Sequence, residues 1–485
     1  MMQMTLTKKK ELNMTEGPLL GKIVAFFLPL MATNLLQTLY NAADMMVVGL
    51  SSEPDAVGAI GMTGAFVNLV LNVFMGFATG ANVVVARHLG ARDDERVSRA
   101  THTAILLSVV LGAVGTVLGL FISRPVLALM GAEGKLLNLA TTYTIIYFAG
   151  APFLALTNYC IAILRAKGDT KTPLYVLSLA GLANVLLNLF FVLALGLSVE
   201  GVALATALSN VISAAVLLWR LMRDDGACKF SFRRLCMDRA SLRQIVYIGL
   251  PAGLQGSLFS LSNMVIQSSI LQVNNAMVGT ETAFAPVVKG NAAASNLEGF
   301  AYTATNSLYQ AAITFTSQNV GAAKYERVKR VMGCCYFLTF LVAVTFSGAL
   351  ILLRTPLLAL YDVHPGAAGS LDQIAYETAV KKMMIMFTLY FSLAFMEVGS
   401  GVVRGLGKSV ASTVVSLLGA CVFRVVWIAT VFRAVPTLDV IYWSYPISWG
   451  LTALAHFTLS CIFLRHYLKT RKSEEELLRA LELRR

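Results

Sequence analysis

Asp44 stands in a stretch that carries Asn34, Gln37, Thr38 and Asn41 before it and Met45, Met46, Val47 and Val48 after it. At about 100° per residue these five polar side chains fall within an arc of roughly 120° on one helix face. Hydrocarbon does not solvate such a face, so it must look at protein or water, and a carboxylate there is functional by default. Two chemistries are open to it. A buried carboxyl can take up a proton, whereas oxygen-rich neighbours suit a hard cation such as Na⁺. Asn184 and Asn188, an i,i+4 pair, and Thr206 offer amide and hydroxyl groups that can complete an ion site with Asp44. The competing reading is plain helix–helix hydrogen bonding.

Further along, Glu298 shares a polar stripe with Ser295, Tyr302, Thr305 and Tyr309; Glu397 precedes Arg404 by seven residues, and Arg424 lies midway along an apolar stretch. The functional reading makes Glu298, Glu397 and nearby aromatic faces the holder of a cation or a proton, with Arg424 paired to one of the acids. The structural reading is a buried Glu397–Arg424 pair that leaves neither free.

The elements that carry these residues are otherwise apolar. Of 485 residues, 57% are hydrophobic and only 13% charged, with a mean hydropathy of +0.70. A window of about 19 residues finds twelve spans long enough to cross a bilayer. They lie near 20–49, 56–86, 100–122, 136–164, 173–195, 200–221, 242–272, 288–318, 330–353, 378–403, 409–432 and 440–464. The polar start, MMQMTLTKKKELNMTE, shows no cleavage site, which predicts that the first span is retained. The chain is an all-α integral membrane protein.

It is also a duplication. Leu28-Pro29 with Asn41 recurs as Leu250-Pro251 with Asn263, at an offset of 222. Gly90-Ala91 recurs as Gly321-Ala322, offset 231, and Arg165 with Gly168 as Arg404 with Gly407, offset 239. Six spans fall in each half. The polar connector 222–241 predicts a boundary between lobes 1–227 and 228–485, with a tail from about 466 that forms a short amphipathic helix. Internal repeats in an apolar chain point to a transporter with its site between them.

The net charge of +13 is topological. Counted over alternate loops from an inside N-terminus, Lys and Arg number 31 on the inner side and 7 on the outer (Arg124, Lys135, Lys289, Arg354, Lys381, Lys382, Arg433), with Arg424 within a span. That bias places both termini in the cytoplasm and excludes nucleic acid as the partner. The seven cysteines and five histidines show no metal-ligand spacing, and no phosphate-binding loop, nucleophile elbow or dinucleotide fingerprint occurs. No cofactor and no ATP are expected.

Arg165-Ala166-Lys167-Gly168-Asp169-Thr170-Lys171-Thr172-Pro173, the repeated glycine-alanine loop, Gly201-Val202-Ala203-Leu204-Ala205-Thr206 and the 6+6 duplication together resemble the multidrug and toxic compound extrusion (MATE) family. The resemblance covers nearly the whole chain. It implies two six-helix bundles facing each other in a V around a central cavity, at the cell membrane. It also implies antiport of organic, usually cationic and amphipathic compounds against H⁺ or Na⁺. In prokaryotic members an acid of the first span, here Asp44, is central to ion coupling. A tyrosine one turn earlier matches Tyr40, a fourth-span asparagine matches Asn158, and a kinkable proline matches Pro29. The family's fifth-span asparagine is followed four residues later by an aspartate; here that position is Asn188, so a second carboxylate is missing.

The expected mechanism has Asp44, with Tyr40, Asn158, Asn184, Asn188 and Thr206, alternately taking H⁺ or Na⁺. Hinges at Pro29 and Pro251 then move, and a cavity lined by Asn34, Gln37, Asn41, Asn263, Glu298, Tyr302 and Glu397 releases its cation. The protein is expected to act as a monomer. Two alternatives remain: a lipid-linked precursor flippase of the same superfamily, which usually carries about fourteen spans and a basic cavity, and a membrane enzyme. Asp93-Asp94 in the second loop can be imagined as a metal pair, but the doublet sits beside Arg92 and Arg96 and reads far better as a solvated turn.

Overall fold

The computed structural model describes residues 12–49, 53, 55–279 and 285–482, with side chains as far as Arg471. The first half contributes α1 (Leu19–Gly49), α2 (Ala56–Gly90), α3 (Asp94–Leu129), α4 (Gly134–Ala149), α5 (Ala151–Lys167), α6 (Lys171–Leu189) and α7 (Val199–Met222). The second contributes α8 (Arg239–Val278), α9 (Pro286–Gly321), α10 (Tyr325–Leu352), the short α11 (Arg354–Ala359), α12 (Leu371–Thr388), α13 (Tyr390–Gly405), α14 (Ser409–Ser416), α15 (Phe423–Trp427) and α16 (Leu438–Glu482). Every regular element among the described residues is helical.

Among the described residues nine helices are long and apolar enough to cross a membrane, and the bent pairs α4–α5 and α12–α13 bring the number to eleven. The twelfth rod is α9, which is membrane-length but too polar to pass on hydropathy alone. Its Thr314, Thr316, Ser317, Gln318 and Asn319 are all buried, so protein rather than lipid covers them. α14 and α15 form one rod, Ser409–Phe432, interrupted by π-helical turns at Leu417–Val422 and Ile428–Phe432.

The duplication is visible in the bends. α4 and α5 meet at 49° around Gly150, and α12 and α13 at 50° around Leu389. Those positions differ by 239, the offset that relates Arg165 to Arg404. The halves approach each other through glycine. A Cβ on Gly76 would lie 2.2 Å from the Gly253 amide nitrogen, and one on Gly80 would lie 2.4 Å from the Ile245 carbonyl, so α2 and α8 touch backbone to backbone. Where α2 and α9 end, the contact is reciprocal: a Cβ on Gly90 would strike Gln318 O and one on Gly321 would strike Arg87 O, each at 1.9 Å.

The ends of α2 and α9 define one face of the molecule, here the proximal face. Residues 12–17 lie across it and hold both halves. Met14 is fully buried; its carbonyl accepts from Asn319 Nδ2 and Arg327 Nε, each at 3.3 Å. Glu16 pairs with Arg92 at 3.3 Å in the first half and with Lys324 at 3.4 Å in the second. The connector after α7 packs on the first half: Lys167 pairs with buried Asp224, and Ser231 O lies 3.2 Å from the His102 ring. Asp238 then caps α8 by accepting from Ser241 N. The last span and the tail are one helix, α16, not a span followed by a separate short helix; the amphipathic side chains expected after residue 471 lie outside the described ones.

Candidate functional site

α1 runs unbroken through Pro29 to Gly49 and carries its polar face against α6 and α9. Near its far end Asn188 donates from Nδ2 to Asp44 Oδ1 at 2.6 Å. The same amide nitrogen lies 3.3 Å from Asn184 Oδ1, and Asn184 Nδ2 lies 3.5 Å from Thr206 Oγ1. Three helices therefore converge: α1 supplies the carboxylate, α6 the amides and α7 the hydroxyl. Asn188 is fully buried, and its own Oδ1 accepts no hydrogen bond. That oxygen, beside a carboxylate, is the kind of hard donor that a proton or small cation requires. α6 changes to a π-helical turn, Phe190–Ala194, two residues after Asn188, a local distortion of the kind found at functional positions.

Tyr40 sits one turn before Asp44 and donates to Ser178 O at 3.2 Å. Its ring rests on Gly181, where a Cβ would come within 2.0 Å of Tyr40 Cε2. The small residue lets α6 close on α1 at this height. Asn158 does not join the group. Its amide donates to Leu154 O of its own helix at 3.0 Å. Asn34 bridges the halves, donating to Ser307 Oγ at 3.2 Å, while Gln37, Asn41 and Asn263 are exposed. Pro251 lies inside α8 as Pro29 lies inside α1.

In the second half the structure redistributes the charges. Lys382, counted above with the outer loop, lies within α12, is buried, and pairs with Glu298 Oε2 at 3.6 Å while donating to Ser295 Oγ at 2.5 Å. Glu298 is thus not a bare acid. Its neighbour Lys381 turns outward to Asp439 at 2.8 Å. Arg424 pairs with neither acid, contrary to the sequence expectation. Its Nε donates to Ser448 Oγ at 2.9 Å, and its guanidinium lies 4.3 Å from the Tyr445 ring centre and 5.6 Å from that of Trp449. A guanidinium is weakly hydrated and accepts an aromatic face in place of a carboxylate. Glu397 is buried and accepts no hydrogen bond among the described residues. Arg404, two turns along α13, donates to Tyr309 Oη and, at 2.6 Å, to Gln255 Oε1. Tyr302 is exposed and receives Asn306 Nδ2 at 3.3 Å.

Sequence reasoning missed Lys382 and the Arg404–Tyr309–Gln255 network. Lys382 has a signal: it falls within the span placed near 378–403, and the apolar run Met383–Phe387 follows it, although the charge count assigns it to the outer loop. The network has none, because Gln255, Tyr309 and Arg404 are far apart in the chain and meet only through packing. The Asp93-Asp94 doublet is a helix start, Asp93 accepting from Arg96 N at 3.0 Å. Among the described residues no group of three or more His, Cys, Asp or Glu side chains is placed to hold a metal ion.

Comparison with known proteins carries the likeness over most of the chain. The MatE family model matches twice, at residues 29–190 and 260–430. The chain is 27% identical over 402 residues to the "Probable multidrug resistance protein YoeA" of Bacillus subtilis (strain 168), covering 81% of this chain and 82% of that protein. It is 24% identical over 444 residues to the multidrug export protein MepA of Staphylococcus aureus (strain NCTC 8325 / PS 47), covering 91% and 93%. An outward-facing multidrug resistance MATE transporter of the MOP superfamily superposes with a TM-score of 0.86 at 21% identity, covering 95% of this chain and 99% of that one. Twelve membrane-length rods, a repeated fourth-rod bend and two matches to one family model leave one assignment: the chain belongs to the MatE family of multidrug and toxic compound extrusion transporters.

Proposed function

We propose that this protein is a secondary antiporter that expels amphipathic organic compounds in exchange for H⁺ or Na⁺, with Asp44 as the ion-coupling carboxylate. The observation that carries the reading is the Asp44–Asn188–Asn184–Thr206 chain joining three helices of the first half. An ion or proton on Asp44 competes with Asn188 for the carboxylate, so its arrival loosens the hold of α6 on α1. Its departure restores that hold. Asn34 couples α1 to α9 through Ser307, which gives the second half a means of sensing the change. Ion and exported compound then weaken each other's binding, as linkage requires.

The Lys and Arg excess supports a cytoplasmic proximal face, a multi-pass plasma-membrane protein and termini inside. Closure of that face by Gly90 and Gly321, with residues 12–17 across it, supports an outward-open state. The pseudo-equivalent prolines Pro29 and Pro251, each inside its helix, are the positions at which the ladder yields most easily. The protein works as a monomer in this reading.

The test is efflux of an organic-cation dye from drug-sensitive cells expressing Asp44→Asn, with membrane protein levels matched. Efflux is expected to fall to the vector background; undiminished efflux overturns the coupling role of Asp44. Imposing Na⁺ and pH gradients separately on proteoliposomes identifies the ion.

A further inference from the structure

We propose that the second half contains a carboxylate-binding site, built around Arg424 and Lys382, that takes the acidic group of an aromatic exported compound. The proposal rests on the exporter reading and narrows its substrate class from organic cations to zwitterions and acids.

The site is assembled from four helices. Lys382 on α12, Glu298 on α9, Arg424 on α15 and Ser448 on α16 each lie roughly 12–18 Å from the distal end of their rods at about 1.5 Å per residue, so they share a level in the membrane. They are linked by contact. Lys382 meets Glu298 at 3.6 Å; Tyr390 Oη donates to the Glu298 carbonyl at 3.5 Å; Tyr390 and Trp449 pack edge to face at 6.0 Å; Trp449 lies 5.6 Å from the Arg424 guanidinium. Lys382 takes the carboxylate of Glu298 and Arg424 takes none, so these three side chains together carry a net charge of +1.

Arg424 is the group left over. It is 7% exposed, its Nε is held by Ser448, and its two terminal nitrogens donate to no described group. Neither nitrogen is among the sealed polar atoms that lack a partner, so both can be reached from outside the protein core. A buried, always-charged guanidinium without a carboxylate is costly at this depth, and its fork of donors matches a carboxylate bidentately. Tyr445 and Trp449 flank it, at 5.5 Å from each other, and give a planar aromatic body a surface to lie on. Lys382 supplies a second attraction for the same group. Glu298 keeps Lys382 oriented and limits the ligand's acidic group to one.

The probes are dansylglycine and its methyl ester, which share a fluorophore and differ by one carboxylate charge. Binding to the purified full-length protein in nanodiscs is read by dansyl fluorescence. The wild type is expected to bind the acid at least tenfold more tightly than the ester. Arg424→Gln should abolish that preference while changing ester affinity less than threefold, and Arg424→Lys should retain part of it. Equal wild-type affinity for acid and ester overturns the proposal, as does an equal loss of both ligands in folded Arg424→Gln. If that variant fails to fold, the wild-type comparison and the same measurement on Lys382→Gln decide. Suppression of the acid's advantage by replacing isethionate with chloride would show an inorganic-anion site and would also overturn it. These readouts are of binding, so failure of efflux in cells bears on the exporter reading alone.

Discussion

At the scale of single residues, the first-half site is economical: one carboxylate, two amides and a hydroxyl. Asn188 orients Asp44, and a hydrogen bond to a charged group contributes about 1.5–3 kcal/mol. Asn188→Leu removes this competitor and should therefore lower, by roughly ten- to a hundredfold, the ion concentration that half-saturates exchange in proteoliposomes. Asn188→Asp places a second carboxylate at hydrogen-bond distance from the first, and like charges so close cannot both ionise. Its expected outcome is a changed number of ions exchanged per exported molecule, read from the reversal potential of transport. Gly181→Val drives a side chain into the Tyr40 ring and should lower efflux with little change in surface expression.

At the scale of elements, close helix approach and one extended segment hold the halves in register. Gly76→Val forces α2 from α8 and should cost about 1–3 kcal/mol by overpacking, seen as a lower thermal midpoint in detergent. Gly64→Ala on the same helix meets nothing within 4 Å and should leave the midpoint unchanged. Residues 12–17 carry a pH dependence. Lys324, and then Arg92, hold the Glu16 carboxyl below its ordinary range. A carboxyl depressed in the folded state stabilises above its unfolded pKa, and that contribution is lost as pH falls through the folded value. The protection factors of residues 12–17, amide exchange rates corrected for the intrinsic rate at each pH, should thus be high at neutral pH and fall below about pH 4.5. Exchange that ignores both acid and Glu16→Gln would contradict the role given to these ion pairs.

At the scale of the whole molecule, the reciprocal Gly90 and Gly321 contacts close the proximal face, and bulk at either should favour opening. Gly321→Val is expected to make a cysteine placed at buried Ser317 reactive to a water-soluble maleimide from the proximal side, where the parent is protected. Twelve rods, their duplication and the polar face around Asp44 were legible in the chain because bilayer length, repeat offset and helical period are all properties of linear order. α9 was legible as a span despite its polarity because its stripe kept one face apolar; the bend at Leu389 was not, since no proline or glycine marks it, whereas Gly150 and Pro152 do mark the first bend. The chemistry of the second half is decided only by tertiary structure. The sequence shows two acids and an arginine, but which charges meet depends on where separate helices cross. Packing sends Lys382 to Glu298, Arg404 to Tyr309 and Gln255, and Arg424 to Ser448 and two aromatic rings. A buried charge takes whatever compensation lies within a few ångströms, and those neighbours come from distant parts of the chain.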